Sequence, residues 1–215
     1  AIFNKGNALF CLGRYEEALA VYDAALVTKP DDHTAFNNKG FVLVSLGRYE
    51  EALAAYNAVL NINPDDHIVL DNKGTALFSL GRYEEALAAY DAALLIKPDD
   101  YIVLNNKGNV LGQLGRTEEA LAAYDAALAS NPNYDTALKN KGRALFSLGC
   151  YEKALATYDA ALIINSDKHD VLYNKACCYS VQGKVELALE NLSQAIQLNP
   201  HEYRKIAQTD TDFDA

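Results

Sequence analysis

The sequence contains no methionine. With no initiating residue in it, the chain is expected to be a fragment of a longer protein. It has no apolar run approaching the roughly 20 residues needed to cross a bilayer, so no membrane insertion is expected. Its start lacks the basic, apolar and small-residue succession of a secretory signal. Cations are in deficit: 19 Lys and Arg stand against 29 Asp and Glu, a net charge of −10. Such a surface repels a phosphate backbone and an anionic lipid surface alike, so neither nucleic acid nor membrane is an expected partner. The four cysteines, Cys11, Cys150, Cys177 and Cys178, have no disulfide-framework spacing. They read as reduced thiols, which predicts a cytoplasmic location.

One internal repeat dominates the chain. Asn-Lys-Gly recurs at Asn4, Asn38, Asn72, Asn106 and Asn140, 34 residues apart each time, and a sixth copy reads Asn174-Lys175-Ala176. A second glycine keeps the same period at Gly13, Gly47, Gly81, Gly115, Gly149 and Gly183. Each copy reads as two amphipathic helices. In the third, helix A is predicted over Ile68 to Leu80 and helix B over Tyr83 to Ile96. Gly81 suits a left-handed helix end, Glu84 and Glu85 favour the positive end of helix B, and Pro98 stops it. Asp100 is placed to cap the next helix A. Gly74, inside a helix, costs about 1 kcal/mol relative to Ala. Close helix approach with Ala86 and Ala93 is the expected compensation, and Tyr90 is expected to fill space between copies.

These residues resemble the tetratricopeptide repeat family. The third copy supplies the family's spaced apolar and small residues with Leu70, Gly74, Ala86, Tyr90, Ala93 and Pro98. The resemblance divides the chain into repeats at 1–32, 33–66, 67–100, 101–134, 135–168 and 169–202. It implies an all-α, right-handed superhelical α-solenoid whose A helices line a concave groove. The sixth copy departs most, with Ala176 for Gly, Val185 for Tyr and Leu192 for Tyr, as terminal copies often do. Residues 203–215 are expected to begin a capping helix and then fray. The uniform units resemble those of bacterial or archaeal repeat proteins.

Nothing converges as a catalytic or metal site needs. His33, His67 and His169 recur at the first repeat position, far apart, and His201 stands alone; metal ligands must share one coordination shell. The glycines follow the repeat and match no phosphate-binding spacing. The expectation is therefore a non-enzymatic chain with no cofactor and no metal. Lys5, Lys39, Lys73, Lys107, Lys141 and Lys175 stand at repeat position 7, where the family usually has Leu. They are expected to pack their stems and reach acids such as Asp91 and Asp125.

The resemblance directs interest to the groove positions. Position 6 is Asn in every copy (Asn4, Asn38, Asn72, Asn106, Asn140, Asn174), and a carboxamide can both donate to and accept from a peptide backbone. The alternative is that this recurrence records duplication. Phe41, Phe78, Phe146 and Tyr173 add apolar contacts that favour a partner surface, and Asn109 stands at position 9. Lys139 and Arg143, with Asn174 and Arg204, partly match the carboxylate clamp of chaperone-binding relatives and would attract an acidic peptide. The expected function is a protein-interaction scaffold holding an extended peptide. The alternative is a structural spacer, or a repeat array that self-associates end to end.

Overall fold

The computed structural model describes residues 2–200, with side chains from Asn4 onward. The expected capping helix, His201 and Arg204 lie outside the described residues. The chain forms two compact units, one ending at Leu114 and one beginning at Gly115. The first holds α1 (Ile2–Cys11), α2 (Tyr15–Thr28), α3 (His33–Ser45), α4 (Tyr49–Ile62), α5 (His67–Ser79), α6 (Tyr83–Ile96) and α7 (Tyr101–Gln113). The second holds α8 (Thr117–Ser130), α9 (Asp135–Ser147), α10 (Tyr151–Ile164), α11 (His169–Val181) and α12 (Val185–Leu198). From α3 onward, both A and B helices begin at 34-residue intervals. The fold is all-α, built of tandem helix pairs, as expected. Among the described residues no helix is long and apolar enough to cross a membrane.

Local chemistry sets the helix ends. The Asp66 carboxylate accepts from the backbone N–H groups of Ile68 and Val69 at 3.2 and 3.1 Å, and Asp100 does the same for Ile102 and Val103. Such a cap is worth about 1 kcal/mol. At the equivalent places before α9 and α11 stand Tyr134 and Lys168, and neither side chain caps. Helix α5 ends in a Schellman motif: Gly81 N–H reaches Phe78 O and Arg82 N–H reaches Leu77 O, both at 2.9 Å. Gly81 has φ +73°. Arg82 then turns back onto Glu85, at 2.7 and 2.6 Å. That exposed pair adds only a few tenths of a kcal/mol.

Packing explains the glycine inside helix A. Tyr90 of α6 is buried and lies on the strip of α5 left bare by Gly74. A Cβ on Gly74 would stand 2.5 Å from Tyr90 Cε1, inside contact distance. Gly6 with Tyr22, Gly40 with Tyr56 and Gly142 with Tyr158 repeat the arrangement. The tyrosine thus packs within its own helix pair, not only between copies as expected. The sixth pair changes both members together: Ala176 is fully buried, and Leu192 of α12 replaces the tyrosine. In the second unit Tyr158 joins Leu145, Leu155, Ala161, Val171 and Cys178 in one core. Burial pushes the Cys178 thiol up to about 11, which leaves it protonated and inert.

The position-7 lysines find their acids. Lys39 pairs with Asp23, Lys107 with Asp91 and Lys141 with Asp125, each at 2.6 Å, and Lys175 with Asp159 at 2.5 Å. In every case the acid lies on the B helix of the preceding pair. The equivalent residue for Lys73 is Asn57, and the two line a shallow surface hollow with Glu50, Arg82 and Glu85.

Candidate functional site

In the first unit the A helices α3, α5 and α7 are cross-linked by side chains. Asn72 Nδ2 donates to Asn37 Oδ1 at 3.2 Å, and Asn106 Nδ2 donates to Asp71 Oδ1 at 3.0 Å. These two position-6 asparagines thereby reach back to position 5 of the preceding helix pair. The ladder read from the sequence as partner-facing has internal rungs. Each rung uses one of the two amide N–H groups, and a primary amide retains a second donor and carbonyl lone pairs. Asn38 is partly buried beside the Tyr22 hydroxyl, which donates to Asn7 Oδ1 at 2.5 Å. Asn4 is exposed.

Residues three, four and seven apart share one helix face, so Ile68, Asp71, Asn72 and Thr75 lie together on α5, and Ile102, Asn105, Asn106 and Asn109 on α7. Phe41 on α3 is 50% exposed and packs against Phe10 with ring centres 5.2 Å apart. Ile68 is 56% and Ile102 43% exposed. These two isoleucines were not singled out from the sequence. Their signal was legible: each isoleucine stands one turn before a ladder asparagine. Phe78 is partly buried, and its ring is tilted on Tyr83 at 5.6 Å, so much of it packs within the helix pair.

Position 9 has a second task. The Tyr90 hydroxyl meets the Thr75 hydroxyl at 3.2 Å. The equivalent residue for Tyr56 is the apolar Phe41, and the buried Tyr56 hydroxyl has no hydrogen-bond partner among the described residues. Burial raises the pKa of both tyrosines, so both stay neutral. An unmatched buried hydroxyl costs about 1–3 kcal/mol, whereas a satisfied one contributes about 1 kcal/mol. Tyr56→Phe is therefore expected to leave stability unchanged or raise it, while Tyr90→Phe lowers it by about 1 kcal/mol. Paired urea titrations of the two variants check this. Equal losses would contradict the assignment.

Asp71 is partly buried. Burial raises its pKa; the bond from Asn106 and the nearby His67 oppose that rise, and Asp100 adds to it. Asp100 is itself held by Lys97 at 3.1 Å.

The second unit carries a different charge pattern. Lys139 of α9 pairs with Asp170 of α11 at 2.7 Å, and Lys168 pairs with Asp135 at 3.1 Å. Burial works to raise the Asp170 carboxyl, but Lys139 and Lys168 hold it below its ordinary range. Lys139, expected to meet an acidic ligand, is thus already engaged. Arg143 is exposed, while Asn140, Tyr173 and Asn174 are partly buried. Phe146 is tilted on Tyr151 at 5.5 Å. Among the described residues no group of His, Cys, Asp and Glu could hold a metal ion.

Family models described as tetratricopeptide repeat match residues 3–67, 105–169 and 169–202, and one described as TPR repeat matches residues 74–115. Among curated proteins none matches the sequence. Solved structures match more broadly. PilW, described as a widely conserved type IV pilus biogenesis factor, is 23% identical with a TM-score of 0.88, over 96% of each chain. Pseudomonas aeruginosa PilF is 22% identical with a TM-score of 0.81, over 98% of this chain and 96% of that one. YrrB, described as a TPR protein with an unusual peptide-binding site, is 25% identical with a TM-score of 0.65, over 87% of this chain and 97% of that one.

Proposed function

Since the chain belongs to the tetratricopeptide repeat family, we propose that it is a protein-interaction scaffold that holds an extended peptide along its A helices. It acts by binding, without a reaction of its own. One observation carries this reading. The rungs fix the Asn72 and Asn106 carboxamides in register while leaving them hydrogen-bonding capacity, beside the exposed Phe41, Ile68 and Ile102. A peptide backbone offers alternating donors and acceptors that such amides can meet whatever the peptide's sequence. The apolar side chains supply contacts that gain by leaving water. In the second unit Asn140, Asn174 and Tyr173 form the corresponding face, with Arg143 as its cation. The likeness to YrrB, a protein described by its peptide-binding site, supports a peptide as the ligand class.

The test is selection of a displayed random peptide library on the parent chain and on the Asn72→Ala/Asn106→Ala variant. Two lost hydrogen bonds at about 1 kcal/mol each weaken selected peptides by tenfold or more, with the variant still folded. Unchanged affinity would remove the asparagines from the site.

A second reading, self-association, is favoured by the outer ends of the B helices. Leu95 is 85% exposed, and Val27 and Ile163, at the same repeat position, are as open. Light scattering across a concentration series separates the two readings, since a scaffold for peptides stays monomeric.

A further inference from the structure

Asp71 differs from its counterparts in one respect that bears on what binds. Repeat position 5 carries Asn37, Asn105, Lys139 and Tyr173 in other copies; among the described residues only Asp71 is acidic there. In the second unit the position-5 charge is neutralised internally, because Lys139 meets Asp170 at position 2 of the next A helix. The residue in Asp170's place opposite Asp71 is Ile102, which is exposed and uncharged. Asp71 accepts one hydrogen bond, from Asn106, and no ion pair reaches it among the described residues. A partly buried carboxylate without a cation is costly, and a cation brought to it gains more than at an open surface.

An ammonium or guanidinium group carries several N–H donors. It can donate to the lone pairs of the Asp71 carboxylate that Asn106 leaves free, which no apolar or ionised acidic side chain can do. Phe41, Ile68 and Ile102 stand on the same face to take apolar neighbours of that cation.

We propose that the A-helix face of the first unit selects peptide segments in which a Lys or Arg side chain is flanked by apolar residues, with Asp71 receiving the cation. The inference rests on the peptide-binding reading and adds the ligand's charge and the residue that reads it. It assigns to an external chain the role that Lys139 plays internally for Asp170.

The experiment is a random 12-residue peptide library displayed on phage and selected in parallel on four proteins: the parent chain, Asp71→Asn, Ile102→Lys and Tyr56→Phe. Asn at position 71 can still accept from Asn106, so folding is preserved, and urea midpoints check it. Ile102→Lys places a cation opposite Asp71 within the chain. The parent is expected to enrich peptides with Lys or Arg at one fixed offset from an apolar residue. On Asp71→Asn and Ile102→Lys that basic preference falls at least tenfold while the apolar pattern persists, and on Tyr56→Phe, whose hydroxyl lies beneath the surface, it is unchanged. Parent peptides with no basic position would overturn the inference and leave the peptide-binding reading standing. So would a basic preference unchanged on Asp71→Asn, which would reflect general attraction to an acidic chain. A parent that enriches nothing while folded would overturn both.

Discussion

Gly74→Ala is expected to destabilise the protein by about 1–3 kcal/mol, the cost of forcing a methyl into a packed interior. The sign is informative, because helix propensity alone favours Ala over Gly by about 1 kcal/mol. Space decides against propensity here: the new Cβ would stand 2.5 Å from Cε1 and 2.8 Å from Cδ1 of the buried Tyr90. The sixth pair shows the remedy, since Ala176 and Leu192 occupy the same two positions and both are buried. Tyr90→Leu alone leaves a cavity and destabilises. Gly74→Ala/Tyr90→Leu is expected to lose less than the sum of its parts, with a favourable coupling of about 1–3 kcal/mol. A double-mutant cycle by urea unfolding measures that coupling directly. Additivity within error would show that the glycine is not there for the ring.

Gly81→Ala is expected to cost about 1–2 kcal/mol for a different reason. Nothing lies within 4 Å of the added Cβ, so space is ample. The φ of +73° places an L side chain against its own following carbonyl instead. No change in a neighbour relieves that strain. Asn tolerates the left-handed region better than Ala does, so Gly81→Asn is expected to recover part of the loss. Thermal unfolding of the two variants, read beside the Gly74 pair, separates a steric glycine from a conformational one. Equal stability of Gly81→Ala and the parent would contradict this account of the helix end.

Most of the architecture was legible because one short pattern is written six times. Gly81, Glu84, Pro98 and Asp100 punctuate the helices through local backbone chemistry, so helix B from Tyr83 to Ile96 was read with its observed ends, and helix A to within one residue. Four of the lysine partners were legible too, since a cation at position 7 needs an acid one helix away and Asp23, Asp91, Asp125 and Asp159 offer it. The tyrosine–glycine contact was read less well. Sequence spacing shows that a small residue is required but not which side chain fills the gap. The asparagine rungs were missed for a related reason. A carboxamide repeated on one face reads as ligand-facing until the neighbouring helix is in view, and only then does Asn37 or Asp71 stand within 3.2 Å. Ile68 and Ile102 were legible by their place one turn before the ladder asparagines, and their exposure sets them apart from core isoleucines.

The central claim is that the A-helix face receives the peptide. The most direct test is a titration of the 15N-labelled chain with a selected peptide, followed by backbone and Asn side-chain amide resonances. Shifts are expected at Phe41, Ile68, Asn72, Ile102 and Asn106, including the Nδ2 signals of the two asparagines, with Val27 and Leu95 unmoved. Shifts confined to Val27, Leu95 and their neighbours would contradict it and move the binding surface to the B helices.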